Sequence, residues 1–248
     1  MTGAIEQAAA LLRAARRDPG QLLPALPDGL RPADAATAYA IQQAVAAGVA
    51  IGGWKVGAPN PTAPCFCAPM PAAGLHASPA RLPAGRLRGV EAEIAFRLGR
   101  DLPPRATPYD RAEVIAALAS AHPAIEVLES AYLDPRTVDP LSGLADSVMH
   151  GGFVHGPAVT AWQGVDFAAV TVTQTIGDAV RTATGNPAGD MIRLVVWLAN
   201  EGSRWAGGLR AGQFVTCGSW TGFTPAPAGA RVRVAFAGIG DAAAEFAA

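Results

Sequence analysis

Charge is scarce in this sequence. Asp, Glu, Lys and Arg make up only 16% of the 248 residues, and 19 basic side chains nearly cancel 20 acidic ones. A net charge near −1 leaves no basic face for nucleic acid or an anionic membrane, so neither partner class is expected. Cysteine is also sparse: Cys65, Cys67 and Cys217 are odd in number, and the Cys-x-Cys spacing lacks the second ligand pair of a structural zinc site. Free thiols in a reducing compartment are the expectation. No window reaches about 18 uninterrupted apolar residues. The N-terminal "MTGAIEQAAALLRAARRD" reads as a charged amphipathic helix rather than a signal peptide. A soluble, cytoplasmic protein is expected.

What is abundant is apolar residues, half of the total, together with 28 glycines and 21 prolines. These are aperiodic and spread along the chain, which predicts many turns rather than collagen or disorder. The length suits one large domain or two small ones. Residues 4–17 and 32–47 carry apolar positions at helical spacing, closed by Pro19-Gly20 and Gly48. After Gly52-Gly53 short runs rich in Val, Ile, Phe and Thr alternate with Gly/Pro turns, the pattern of a β-rich domain. The division expected is a helical subdomain over residues 1–50 and a β-rich domain over 51–248, joined as one continuous unit. Strands are predicted at 53–56, 90–98, 124–128, 152–159, 169–176, 179–184, 213–218, 231–237 and 243–246. Gly177-Asp178 is a two-residue hairpin signal, and Gly240-Asp241 is a second candidate. Helices are predicted over "TPYDRAEVIAALASAH", with Thr107 as N-cap, and over "AGDMIRLVVWLANEG", with Asp190 as cap and Gly202 as stop.

Against this background "GVEAEIAF" (89–96) stands out. Side chains alternate along a strand, so Glu91, Glu93 and Ala95 share one face while Val90, Ala92, Ile94 and Phe96 share the other. Taken alone, the first face fits a strand edge meeting water. A second strand, "HPAIEVLES", places Glu126 between Ile125 and Val127, where a lone carboxylate is costly to bury unless it is paired or bound to a cation. Three carboxylates converging from two strands repel one another, and a hard divalent cation, Mg²⁺ or Mn²⁺, cancels that repulsion. Glu129 is the rival for Glu126, but its three-residue offset turns it to the opposite face. Lys55, in "GGWKVG", is either a solvated strand lysine or a cation aimed into a pocket to bind a carboxylate or stabilise an enolate.

The ordered set "AYAIQ" (39–43), "GWKVG" (53–57), "EAEIAFRLGRDLPP" (91–104), "PAIEV" (123–127), "GNPAGDMIRLVVWLAN" (185–200), "LRAG" (209–212) and "GIG" (238–240) resembles the 2-keto-4-pentenoate hydratase / 4-oxalocrotonate decarboxylase group of the fumarylacetoacetate hydrolase superfamily. The resemblance runs from about residue 35 to the end. It implies an α+β fold, a mixed β-roll or sandwich with an N-terminal helical portion. It also implies a homo-oligomer, and a divalent metal held by Glu91, Glu93 and Glu126. The metal is expected to chelate a 2-oxo acid, polarise its carbonyl and stabilise a dienolate, with Lys55 near the substrate's anionic end or the enolate oxygen. Hydration of a 2-hydroxy-2,4-dienoate is the activity implied. The alternatives are decarboxylation, hydrolysis of an acylpyruvate-like compound, or a catalytically silent partner subunit.

The polar set around the expected substrate departs from the family pattern. "PMPAAGL" carries Ala72 and Ala73 where an acidic residue is usual, leaving Gly74 and Leu75 as substrate-facing positions. In "ADSVMHGG", Asp146 keeps the family's aspartate and is a candidate catalytic base or a loop cap. Ser147 replaces an asparagine at a substrate-binding position, and Met149 replaces a serine. Thr216, Gly218 and Ser219 in "VTCGSWTG" lie where the family approaches its substrate. His150 and His155 are read as structural, and His122, just before Pro123, as a residue that supports the site from behind without touching substrate.

Overall fold

A computed structural model describes residues 2–248. The chain runs α1 (Thr2–Arg17), α2 (Ala35–Val45), β1 (Ile51–Gly57), β2 (Phe66–Pro71), β3 (Leu75–Ala77), β4 (Ala80–Leu82), β5 (Gly89–Leu98), α3 (Arg111–Ala117), β6 (Leu118–Leu128), α4 (Pro140–Ala145), β7 (His150–His155), β8 (Thr171–Ile176), β9 (Ala179–Thr184), α5 (Met191–Trp197), β10 (Phe214–Thr216), β11 (Thr224–Pro225), β12 (Arg231–Phe236) and β13 (Gly240–Phe246). Among the described residues no helix is long and apolar enough to cross a membrane.

The strands form two mixed sheets, giving the expected α+β architecture with no closed barrel. The larger has the order β2-β1-β10-β5-β6-β7-β3, with β11 pairing β5, and the smaller has the order β4-β13-β12-β8-β9. They share one core. Val90, Ile94, Phe96 and Ile125 from the larger sheet pack with Val172, Val234, Phe236 and Ala244 from the smaller. On β5 the alternation sends the even-numbered residues into that core and leaves Glu91 and Glu93 on the opposite face.

The helical layer has its own core, in which Ala8, Leu12 and Ile41 from α1 and α2 meet Tyr132, in the segment after β6, and Ala145 of α4. Gln42 joins this layer to the sheet, donating to the carbonyls of Leu144 (2.8 Å) and Cys67 (3.1 Å).

Several elements differ from the sequence reading. The helix expected from Thr107 begins at Arg111. Asp110 caps it by accepting from the Glu113 amide, while Glu113 returns a bond to the Asp110 amide, completing a capping box. That helix stops at Ala117, and Leu118–His122 belongs to β6, paired with β5. Gly177-Asp178 does turn β8 into β9, with Ile176 opposite Ala179. Gly240-Asp241 instead opens β13, where Gly240 pairs with Phe236. The strands β2, β3, β4 and β11 were not expected.

Candidate active site

Register brings the acidic residues together. In the antiparallel β5–β6 pair Glu91 lies directly opposite Glu126, an arrangement that opposes like charges and is unfavourable unless compensated. Glu93 is one step further along the same face of β5. One carboxylate oxygen from each of Glu91, Glu93 and Glu126 lies within 4.8 Å of the others. On the far side of β5, β10 places Thr216 opposite Ala95 and, through its parallel pairing with β1, beside Lys55. Gly53 makes that packing feasible, since a Cβ there would lie 2.6 Å from both the Met70 side chain and the Phe214 carbonyl.

The compensation is specific. Lys55 Nζ sits 2.7 Å from Glu126 Oε1, both side chains being buried, and donates a second bond of 2.9 Å to the Val148 carbonyl. His150 Nδ1 lies 3.0 Å from the same Oε1. Thr216 Oγ1 donates to Glu93 Oε2. Burial pushes the Glu126 carboxyl up, but the Lys55 charge and the His150 hydrogen bond more than offset it, and the group is held below its ordinary value. Glu93 lacks a cationic contact. Burial, reinforced by the charges of Glu126 and Glu91, pushes it well above the usual carboxylate range. Burial likewise raises Glu91 to about 7, against the pull of Lys55. Burial opposes the Lys55 charge, yet the three carboxylates together keep its pKa above the ordinary lysine value.

A hard divalent cation fits this donor set. Glu126 Oε2 is buried with no hydrogen-bond partner, and burial together with the charge of neighbouring carboxylates pushes Glu91 and Glu93 toward the protonated form in spite of Lys55. An all-oxygen cradle of this kind is the ligand chemistry of Mg²⁺, Mn²⁺ or Ca²⁺.

The cradle lies in a cavity of about 840 Å³, whose lining includes Lys55, Glu91, Glu93, Gly218 and Ser219. Gly218 adopts a left-handed backbone, φ 79°, which turns Ser219 to the cavity wall. Ser219 Oγ accepts from the Gly222 amide, and its hydroxyl is directed at the Glu91 carboxylate. The opposite wall is built by an unusual segment. Ser147, Val148 and Met149 all have positive φ (55°, 49° and 63°), which costs roughly 1–2 kcal/mol per non-glycine residue. The turn delivers the Val148 carbonyl to Lys55 and places Val148 and Met149 in the cavity lining.

The other expected site residues are distributed differently. Thr216 touches Glu93 but is fully buried behind it. Gly74 and Ser147 line a separate cavity of about 190 Å³ with His150. Leu75 packs with the Met70, Phe153 and Phe214 cluster. The Asp146 carboxylate is buried and engaged by Arg16 Nε (2.6 Å), Ser130 Oγ (2.7 Å) and the Ala131 amide (3.0 Å). It holds α1 to the loops beside β6 and does not line the main cavity. The Glu129 carboxylate accepts from the Arg86 and Leu87 amides and stays out of the cradle. Sequence reasoning missed Val148, whose contribution is a backbone carbonyl. It also missed Asn186, which fixes the Gly218 turn by donating to the Cys217 and Gly218 carbonyls.

Residues 37–247 match the family model for the fumarylacetoacetate (FAA) hydrolase C-terminal domain. The chain is 30% identical to 2-keto-4-pentenoate hydratase 1 of Dechloromonas aromatica (strain RCB), over 98% of this chain and 97% of that one. It is 31% identical, with the same coverage, to 2-keto-4-pentenoate hydratase 2 of that strain. Its fold is similar to that of 4-oxalocrotonate decarboxylase from Pseudomonas putida G7, complexed with magnesium and adipate, with a TM-score of 0.85 at 21% identity, covering 99% and 98% of the two chains. Fold, cradle and sequence agree: the chain belongs to the fumarylacetoacetate hydrolase family of enzymes, in the company of the 2-keto-4-pentenoate hydratases, which are hydro-lyases.

Proposed function

We propose that the protein is a divalent-metal-dependent hydro-lyase that adds water to a 2-hydroxy-2,4-dienoate by way of its 2-oxo tautomer. The observation that carries this reading is the trio Glu91, Glu93 and Glu126, with an unpartnered Glu126 oxygen, beside a cavity lined by Glu91, Glu93 and Lys55. A divalent cation held by the three glutamates would supply Lewis-acid polarisation of a 2-oxo acid. The names of the hydratase relatives, and the magnesium of the decarboxylase with the same fold, support it.

The chain's own groups have definable parts. Lys55 is held as an ammonium by its three carboxylate neighbours, so it is neither a general base nor an amine nucleophile. Two of its three N–H groups go to Glu126 and Val148, and the third is free to donate to a substrate oxygen in the cavity. The Ser219 hydroxyl, on the Gly218 side, bonds the Glu91 carboxylate and so helps to hold one of the three metal-binding groups in place. Met149 exchanges no proton, and with Val148 it forms an apolar wall that limits where water can approach.

The test is incubation of 2-hydroxypenta-2,4-dienoate with the protein and Mg²⁺ or Mn²⁺, following loss of dienol absorbance and identifying the product. A 4-hydroxy-2-oxo acid formed only with the cation is expected. An untouched dienoate would refute hydration, and release of CO₂ or pyruvate from other 2-oxo acids would move the protein to the decarboxylase or hydrolase reactions. The same reading takes the active form as a homo-oligomer, which light scattering would check.

A further inference from the structure

Ser147, Val148 and Met149, three successive residues other than glycine, all have positive φ, and the last two line the main cavity. Val148 is β-branched, and for such a residue a positive φ is a genuine outlier. A run of this kind persists only where its surroundings over-determine it. The backbone supplies part of the restraint. The Met149 amide donates to the Asp146 carbonyl at 3.2 Å, and the Glu129 amide donates to the Met149 carbonyl at 2.8 Å.

The rest comes from Arg16, in the last turn of α1. Its Nη2 donates to the Asp146 carbonyl at 2.7 Å, just before the left-handed residues, and its Nη1 donates to the His150 carbonyl at 2.6 Å, just after them. Nε donates to Asp146 Oδ1 at 2.6 Å, and Nη2 also reaches the Glu129 carbonyl at 3.3 Å. One planar guanidinium therefore grips both ends of the turn, which the single nitrogen of a lysine cannot do. The helix that carries it is itself fixed. Leu12, one helical turn earlier on the same face of α1, is fully buried in the core that holds Ile41 and Tyr132.

What the turn presents to the site is the Val148 carbonyl, which accepts from Lys55 Nζ at 2.9 Å. Together with Glu126 Oε1 at 2.7 Å it takes two of the three ammonium N–H groups, and so fixes where the third points. We infer that Arg16 is a positioning residue of the active site. By clamping both ends of the 147–149 turn it sets the Val148 carbonyl, and through that carbonyl the direction in which Lys55 offers its remaining N–H to substrate. Arg16 itself belongs neither to the cradle nor to the lining of the main cavity. The inference rests on the hydro-lyase reading above and adds to it a residue of the helical layer.

Arg16→Lys tests it, since this variant keeps a positive charge beside Asp146 and loses the fork. Hydration of 2-hydroxypenta-2,4-dienoate by the Mg²⁺-loaded variant should show a kcat about 10–100-fold lower, the cost of a reacting group misplaced by about 1 Å. KM and Mg²⁺ affinity should each stay within about twofold, because the cradle is untouched. In a Lys55→Met background the same substitution should cost less than about twofold, because the group that Arg16 aims is gone. A crystal structure of Arg16→Lys should show the Val148 carbonyl withdrawn from Lys55. An unchanged kcat, an equal loss in both backgrounds, or a Val148 carbonyl still bonded to Lys55 overturns the assignment. A dienoate left untouched by the wild type refutes the hydro-lyase reading instead, and the place of the Val148 carbonyl in the variant's structure then decides alone whether Arg16 sets the turn.

Discussion

Lys55 Nζ lies 2.7 Å from Glu126 Oε1, and that single oxygen also receives His150 Nδ1, leaving the other oxygen of Glu126 without a partner. The glutamate is thus divided, with one oxygen tied to the protein's own cation and the other free for an external one. The second oxygen's freedom and the first one's restraint come from the same strand position, since residue 126 on β6 faces both Glu91 across the ladder and β7 behind it.

Removing the internal cation separates these two roles. In Lys55→Met the buried Glu126 loses its counter-ion, which should lower stability by about 3 kcal/mol without added metal. The cradle becomes more anionic, so Mg²⁺ should bind more tightly and restore much of that loss. Turnover should still fall by a hundredfold or more, on the order expected for loss of a charged donor to substrate. Chemical denaturation with and without Mg²⁺, beside an activity assay, reads all three. Weaker Mg²⁺ binding would show that Lys55 supports the cradle rather than opposing the cation.

Glu93→Gln tests the cradle from its other side. The amide oxygen can still accept from Thr216, while one of three mutually repelling buried carboxylates is removed. The variant without metal should therefore be at least as thermostable as the wild type. The metal-dependent gain should vanish: a ligand binding only the folded state at a hundred times its Kd contributes about 2.7 kcal/mol, and scanning calorimetry across a Mg²⁺ series should show this rise for the wild type alone. A variant that still gains stability with Mg²⁺ would place the cation elsewhere.

The cradle was legible because strand alternation is a short-range rule. "GVEAEIAF" and "PAIEV" each declare which face their glutamates occupy, and a charge between Ile125 and Val127 signals burial that needs a partner. What brought them together, the Glu91–Glu126 register, depends on pairing that no local pattern states. The strand Phe66–Pro71 escaped notice because it holds two prolines. It lies at the sheet edge, where the missing N–H groups cost little. The end of α3 was misplaced because "AALASAH" carries helix-forming alanines, yet Leu118–His122 gains more from pairing with β5. The left-handed turn at residues 147–149 contains no glycine to announce it. The role of Asp146 was hidden for a different reason, since its partner Arg16 lies 130 residues earlier in the chain.

That separation leads to a further expectation. Asp146 is buried against Arg16, which also donates to the His150 and Asp146 carbonyls. Asp146→Asn should destabilise the protein by about 3 kcal/mol, as breaking a buried pair does, because Arg16 loses its counter-ion. Mg²⁺ affinity should be unchanged within about twofold, since the carboxylate is outside the cradle. Urea denaturation and calorimetric titration measure the two. Unchanged stability with a lost pH–rate limb would instead restore the general-base role that the motif suggests.

His122 offers a pH signature independent of the metal site. Its ring is buried on β6, with Ser120 Oγ 2.8 Å from Nε2 and the Gly156 carbonyl 2.9 Å from Nδ1, and His155 and Phe214 pack against it edge-on. Burial is the main cause holding its pKa below the ordinary histidine value; the Gly156 bond opposes this, and the His155 and Arg97 charges add to it. The sign follows from proton counting: below about pH 6.5 the unfolded chain takes up a proton that the folded chain refuses, so stability is full above that pH and falls as the solution is acidified toward the folded pKa. His155, lowered mainly by its own burial, contributes in the same direction. Urea midpoints taken from about pH 8 down to about pH 5 should fall less steeply in His122→Asn than in the wild type. The double variant with His155→Asn should be flatter still. Parallel curves for wild type and both variants would mean that the slope comes from the carboxylates of the cradle and that the His122 ring is protonated without penalty.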